Sequence, residues 1–336
     1  MTKMTRIALA TLAVMGATTA MAQSSVTLYG RINTTVERQK IGDVNNTKME
    51  NNASRFGLMG TEDLGGGLKA GFVLESGFAS DTGAGAGGGL SFNRQSEVNL
   101  SGNFGMLRLG HWLAPSYYVT ADYISMHNHD TGKSSDAFYA YGTNDKNSQP
   151  YSSNGISYKT PTFGGFNVEA GAYLHEKNPA QFGKKNQYDV AANYENGGLG
   201  LGAGYTKFDD ASQYAVRASY NFGSIILGGY VQRSKNFGFD QVPAAGVGTR
   251  TAYRLSGAYF LGASEFHLNV GRAGSLKNVP ESSALQYTLG YNYNLSKRTK
   301  VYGYYTKVNN SKGANYMTGT AGTDFSSFAL GVRHNF

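Results

Sequence analysis

The chain has 336 residues, with 46 Gly, 24 Tyr and 18 Phe, but only 6 Pro, one Trp and no Cys, and a formal net charge of +8. A mean hydropathy of −0.37 argues against a protein built from membrane-spanning helices, and the absence of cysteine excludes a disulfide framework. Abundant glycine and aromatic residues favour strands joined by tight turns, so the composition indicates a single large all-β domain.

The first residues have the features of an export signal. Two basic residues, a short apolar run and the small-residue sequence Ala20-Met21-Ala22 predict a signal peptide at 1–22 and a mature chain of 23–336. The apolar run is about half the ~20 residues that a spanning helix needs, so a membrane anchor is the weaker alternative. Removing the signal leaves 28 basic and 22 acidic residues, a net charge of +6.

Apolar and polar residues alternate along most of the mature chain. In "VTLYGRINTTV", Val26, Leu28, Ile32 and Val36 fall on one face and polar residues on the other. This period of two predicts strands with one apolar face. The same alternation recurs at 68–76, 165–174, 187–194, 213–220, 252–259, 285–293 and 326–336.

The connections between these strands alternate in length. Seven short turns and eight longer connections join sixteen strands, and the longest connection is 113–150. An even number of strands with short turns at one end is typical of a transmembrane β-barrel. We therefore predict a 16-stranded antiparallel barrel in which the last strand pairs with the first. A soluble secreted β-sandwich is the alternative, although its loop lengths are usually less regular.

Several segments, in this order and spacing, resemble the trimeric general porins of the Gram-negative outer membrane, in particular the betaproteobacterial branch. They are "SSVTLYGRI" near the predicted cleavage site, "SRFGLMGTEDLGGGLKAGFVLE", "FNRQSEVNLSGNFGMLRLGHW", "SYKTPTFGGFN", "YNLSKRT" and the terminal "GVRHNF". The resemblance implies a homotrimer surrounded by outer-membrane lipid. It also implies that the terminal aromatic strand, with Phe336, is read by the barrel-assembly machinery.

In that family the third long loop folds into the barrel, and its acidic residues face basic residues of the wall. The resemblance therefore implies that 113–150 is the pore-constricting loop of a single 23–336 barrel domain. The candidate acids are Asp122, Asp130 and Asp136 of the loop, with Glu75 on the wall. The candidate basic residues of the constriction wall are Arg31, Arg55, Arg94, Arg108, Lys159 and Arg333. Strict alternation would point Arg94 outward, and only the resemblance points it inward.

The alternation places more basic than acidic residues on the inner face. The inward basic residues are Arg31, Arg55, Lys69, Arg108, Lys159, Arg217, Arg254, Lys300 and Arg333, and the inward acids are Glu37, Glu75, Glu169 and Asp189. A low-dielectric wall focuses this field, so anions should be enriched. Some relatives carry a further basic residue near position 151, where this chain has Tyr151, which predicts a thinner basic cluster.

Other chemistry has weaker support. "MHNHD" (126–130) could bind a metal, but a solvated or pore-facing loop is the better interpretation. "GAGAGGG" (83–89) lacks the Lys-Ser/Thr of a phosphate loop, and no Gly-x-Ser-x-Gly elbow occurs. The basic residues are spread over many strands, which argues against nucleic acid.

The sequence therefore predicts a non-enzymatic outer-membrane channel, without cofactor or metal, for passive diffusion of ions and small hydrophilic solutes with a preference for anions. One alternative is a substrate-selective channel for phosphate or organic anions. An outer-membrane barrel enzyme or adhesin is a more distant one.

Overall fold

A computed structural model describes residues 25–85, 89–122, 124, 132–141, 151–177, 185–236 and 248–336. The predicted signal peptide, Asp130 and the histidines of 126–130 lie outside the described residues. The described strands are β1 Ser25–Ile41, β2 Val44–Asn51, β3 Arg55–Gly65, β4 Leu68–Gly77, β5 Gln95–Gly102, β6 Gly105–Leu113, β7 Tyr151–Lys159, β8 Phe166–Tyr173, β9 Gln187–Asn196, β10 Leu199–Phe208, β11 Ala211–Asn221, β12 Ile225–Lys235, β13 Thr249–Leu261, β14 Ser264–Ala273, β15 Ala284–Asn294, β16 Thr299–Asn310 and β17 Phe325–Asn335. A short helix, α1, spans Pro115–Val119. No helix in the described part of the chain is long and apolar enough to cross a membrane.

The strands form one closed antiparallel barrel. From β3 to β17 each strand pairs with the next, and β17 pairs with β1. The first half of β1 pairs with β3 and its second half with β2. Thus β2 and β3 are two parts of one wall strand, interrupted at 52–54, and the wall has sixteen strands. The predicted fold class is confirmed.

The two faces of the wall differ in polarity as the alternation predicts. On β1, Val26 and Leu28 are 64 % and 60 % exposed on the outer face, whereas Asn33 and Glu37 are buried on the inner face. Apolar residues outside and polar residues inside suit a barrel with lipid around it and water within it. The closed ladder also pairs the backbone polar groups that a bilayer cannot satisfy.

Two of the eight connections that the sequence predicts as longer are tight turns. β1 and β2 are joined at Gly42–Asp43, and β10 and β11 are joined at Asp209–Asp210. The first of these turns was missed because β2 is polar and exposed on both faces over most of its length. A strand end with water on both sides needs no apolar face, so hydrophobic alternation cannot mark it.

Phe336 closes the barrel against β1. Its backbone N–H donates to the Gly30 carbonyl and its carbonyl accepts from the Gly30 N–H, both at 3.0 Å. A Cβ at Gly30 would lie 2.3 Å from the Phe336 ring. Glycine therefore leaves the space into which this ring packs on the outer face.

Candidate functional site

The described residues of the 113–150 loop lie inside the barrel and pack against its inner wall. Ser116 of α1 donates from its N–H and its Oγ to the two carboxylate oxygens of Asp189 on β9, at 2.8 and 2.6 Å. A Cβ at Gly202 would lie 1.9 Å from the Val119 carbonyl, and one at Gly204 would lie 2.6 Å from the Ser116 side chain. Two inward glycines of β10 thus let the helix lie directly on the wall.

The returning half of the loop, 132–141, docks on β12 to β15. Gln232 bonds both the N–H and the carbonyl of Ala140, at 2.8 and 2.9 Å. Gln286 accepts from the Ala137 N–H at 3.0 Å and donates to the Ser135 carbonyl at 2.8 Å. Wall side chains therefore replace the strand partners that this backbone lacks.

Asp136 lies at the centre of this docked segment rather than at the basic cluster where the sequence analysis puts it. Its Oδ1 lies 2.9 Å from Arg254 Nη2, both side chains are fully buried, and Oδ2 accepts from the Tyr230 hydroxyl. The wall strand on which the loop lies thus supplies the cation that pairs with this loop carboxylate. Asp136 thus fixes the loop and does not line the opening.

We expect Asp136→Asn to weaken the docking of the loop. Breaking a buried ion pair leaves the other charge uncompensated and typically costs about 3–5 kcal/mol. The heat-dissociation midpoint of the folded barrel on gels should fall clearly, and single-channel current noise should rise as the loop loosens.

The matched control is Glu281→Gln, which removes an exposed pair with Lys312 whose atoms lie 3.9 Å apart. Exposed pairs contribute little, so this change should leave both readouts unaltered. An Asp136→Asn channel as stable and quiet as the parent would contradict the role of Asp136 in docking.

Between the docked loop and the part of the wall that runs from β17 through β1 to β9 lies an open cavity of about 970 Å³. Eight of the ten predicted charged residues line it, and Asp136 does not. The eight are Arg31, Arg55, Arg94, Arg108, Lys159, Arg333, Glu75 and Asp122. Asp122 is the one acidic side chain that the described part of the loop contributes to this lining.

Basic residues form a row across the neighbouring strands β16, β17, β1 and β3, and all of these residues except Lys300 line the cavity. Lys300 is opposite Arg333 in the β16–β17 register, and Arg31 is opposite Arg55 in the β1–β3 register. In the β1–β17 register Arg333 is opposite Asn33 and Arg31 is opposite Asn335. Arg333 and Arg31 are therefore two residue positions apart along this pair of strands. We call these four residues, together with Arg94, the basic row.

Glu75 joins two members of the basic row. Arg94 Nε lies 2.6 Å from Oε1 of Glu75, and Arg55 Nε lies 3.7 Å from Oε2, which also accepts from the Tyr29 hydroxyl at 3.0 Å. The guanidinium of Arg94 also lies 5.4 Å from the centre of the Tyr151 ring. One carboxylate thus holds two guanidinium groups at the cavity surface.

The inward direction of Arg94 follows from its position just before β5. The Gly77 N–H donates to the Asn93 side chain at 3.0 Å, so regular pairing stops there. A Cβ at Gly77 would lie 3.4 Å from Arg94 Cδ, so the missing side chain makes room for the arginine. The inward and outward alternation of side chains along β5 therefore does not extend to Arg94. Extending it would wrongly predict an outward side chain for Arg94.

Other inward cations are balanced by carboxylates. Arg108 bonds Glu97 at 3.1 Å and Glu169 at 2.5 Å, and its guanidinium lies 4.3 Å from the Trp112 ring centre. Arg217 bonds Glu195 at 2.6 Å. These pairs stabilise the wall and add little net charge to the cavity.

Sequence reasoning missed Glu195, which bonds Arg217, and two further acids that matter for the charge balance. Glu97 bonds Arg108, and Glu265 lies 3.4 Å from Lys300 and accepts from Asn292 and Asn294 at 2.6 Å. The available signal was the same alternation, because Glu97 precedes the outward Val98 and Glu265 precedes the outward Phe266.

Comparison with known proteins identifies the family. The profile of the Gram-negative porins matches residues 8–313. The chain therefore belongs to the Gram-negative porin family, and the family predicted from the sequence is confirmed. It is an outer-membrane β-barrel channel and not an enzyme.

Three similar proteins can be named. Outer membrane porin protein 32 of Delftia acidovorans is 36 % identical, over 99 % of this chain and all of its own length. The solved anion-selective porin from Comamonas acidovorans is 32 % identical with a TM-score of 0.79, covering 94 % of this chain and all of that one. OmpT of Vibrio cholerae, solved in a trimer form, shares the fold at 16 % identity and a TM-score of 0.69, covering 93 % of this chain and 99 % of that one.

Proposed function

We propose that this porin prefers anions and that the basic row sets the preference. The observation that carries the proposal is the charge balance of the row: five cations lie on adjacent parts of the wall, with two carboxylates, Glu75 and Glu265, bonded to them. The low-dielectric wall focuses such a field into the water-filled opening and raises the local anion concentration. The similarity to a porin described as anion-selective supports the same assignment.

The 113–150 loop is the constricting element in this proposal. Its described residues occupy the lumen beside β9 to β15, so solutes pass between these residues and the basic row. In this proposal Arg55 and Arg94 form the positive side of the narrow zone, and Asp122 is the loop acid that lines the same cavity. Passage through such a channel is passive diffusion, in which the fixed charges of the wall favour anions over cations.

The sign of the reversal potential tests the proposed function. With a potassium chloride gradient across a planar bilayer that contains the native channel, we expect the potential to approach the chloride equilibrium value. A reversal potential with the sign of the potassium equilibrium potential would overturn the proposal.

We further propose that the chain assembles as a homotrimer through the outer faces of its first strands and β17, after export and removal of residues 1–22. The trimer form of a porin with the same fold supports this arrangement. The barrel domain is then 23–336. Mass measurement of the protein isolated from outer membranes should give a chain that begins at Gln23.

We expect Phe336→Ser to reduce the amount of heat-labile trimer in the outer membrane. The change removes the ring that packs over Gly30 at the β1–β17 closure and also the aromatic residue that the resemblance assigns to the assembly machinery. The measurement is the ratio of unheated trimer to heated monomer on gels. Phe222→Ser changes an exposed aromatic residue in the β11–β12 turn and should not alter that ratio. Equal trimer yield from Phe336→Ser and its parent would refute the role of Phe336.

A further inference from the structure

Part of the lining of the same cavity is aromatic. Tyr117, Tyr118 and Tyr141 of the loop, together with Trp112 and Tyr151 at the ends of β6 and β7, line the opening. Tyr118 is 53 % exposed. The described part of the loop thus offers rings and hydroxyl groups to the cavity, with Asp122 as its acid.

The aromatic surface is held rigidly. Tyr117 packs against Tyr139 and Tyr141 with ring centres 5.3 and 4.9 Å apart, and Tyr139 packs against Tyr230 of β12 at 5.5 Å. The Tyr139 hydroxyl bonds that of Thr120 at 2.9 Å, and burial raises the pKa of Tyr139, so the hydroxyl stays neutral. Tyr118 follows Tyr117 directly on α1 and therefore stands on a fixed base.

Cations and rings already meet in this lining. Arg94 lies over Tyr151, and Arg108 lies over Trp112. An aromatic carboxylate has one group for each kind of lining: its charge suits the guanidinium groups of the basic row, and its ring suits the face of Tyr118. Stacked or edge-to-face aromatic pairs gain energy beyond that of burying an aliphatic group of the same size.

We propose that the channel contains a binding site for aromatic carboxylates between the basic row and Tyr118. This inference rests on the proposed anion preference and adds a substrate class to it. Chloride and acetate use only the cationic side of the site, whereas a benzoate-like anion uses both sides. Tyr118 is then a specificity-determining residue of the pore.

The test compares benzoate with cyclohexanecarboxylate, which has the same charge and nearly the same size but no π system. Each is titrated against the native channel in potassium chloride, and the concentration that halves the chloride current is measured. We expect benzoate to act at about a three- to tenfold lower concentration, the ratio that one aromatic pair provides.

Variants at position 118 locate the effect. Tyr118→Leu, which keeps an apolar side chain, and Tyr118→Ser should both abolish the difference between the two anions, while Tyr118→Phe should retain it. The matched control is Tyr188→Ser, a tyrosine 52 % exposed on the outer face, which should change nothing. Equal half-blocking concentrations in the native channel, or a difference that survives Tyr118→Leu, would overturn the inference.

The chloride-to-potassium permeability ratio is a separate readout, measured for the native channel and for the Tyr188→Ser control. In the control it should stay at the native value, because no lumen residue changes. A native channel that prefers potassium would refute the proposed function, whereas a chloride-preferring channel that treats benzoate and cyclohexanecarboxylate alike would refute only the site at Tyr118.

Discussion

Replacing Arg55 by alanine should shift the selectivity of the channel towards cations. Its side chain points inward, is 18 % exposed, and stands beside Arg31 in the register of β1 and β3. A unit charge about 6 Å from a passing ion contributes about 0.7 kcal/mol even in a water-like dielectric. Because that amount equals about a threefold change, we expect the chloride-to-potassium permeability ratio to fall by about threefold or more at low salt.

Arg233→Ala is the matched control for this prediction. Arg233 is an exposed arginine on the outer face of β12, so its removal changes the net charge of the chain equally without touching the lumen. Its permeability ratio should equal that of the parent. If Arg55→Ala and Arg233→Ala channels have the same selectivity, Arg55 does not belong to the filter.

Glu75→Gln should change selectivity in the opposite direction. The substitution keeps the shape of the side chain and removes the carboxylate that neutralises part of the charge on Arg55 and Arg94. The same Coulomb argument gives a rise of about threefold or more in the chloride-to-potassium permeability ratio. Reversal potentials recorded in the same low-salt gradient as for Arg55→Ala measure it.

Glu62→Gln provides the control for Glu75, because Glu62 is an exposed acid on the outer side of β3, the strand paired with β4. Its reversal potential should match that of the parent. A shift of the Glu75→Gln channel towards cation selectivity would mean that Glu75 acts mainly by holding Arg94 in place. The charge of Glu75 would then not simply add to the charges of the basic row.

The fold could be predicted from sequence because the lipid and the water of the lumen impose opposite demands on alternate residues. Val26 and Leu28 are exposed to the outside while Asn33 and Glu37 are buried inside, and this contrast repeats along the chain. The signal fails where only water surrounds a strand, as in β2, and where regular pairing stops, as at Arg94. In that second case the resemblance to a family supplied the inward direction that the pattern did not.

The charge partners could not be predicted in the same way. Alternation tells that Arg254 points inward, but not that Asp136, 118 positions earlier in the chain, lies against it. Such a pair depends on how the loop lies in the barrel, which in turn depends on glycines such as Gly202 and Gly204. A loop without a repeating pattern carries no sequence signal for these contacts. Asp136 could therefore be predicted as a loop acid, but its partner Arg254 could not be predicted.

The salt dependence of selectivity in the native channel tests most directly whether fixed lumen charges set the anion preference. Screening by salt shortens the Debye length from about 30 Å at 0.01 M to about 3 Å at 1 M, so the field of the basic row should reach across the opening only in dilute salt. Reversal potentials measured for the same concentration ratio at both salt levels should give a clear chloride preference in dilute salt and nearly equal permeabilities in molar salt. A potassium preference in dilute salt, or a chloride preference that salt does not weaken, would contradict this account.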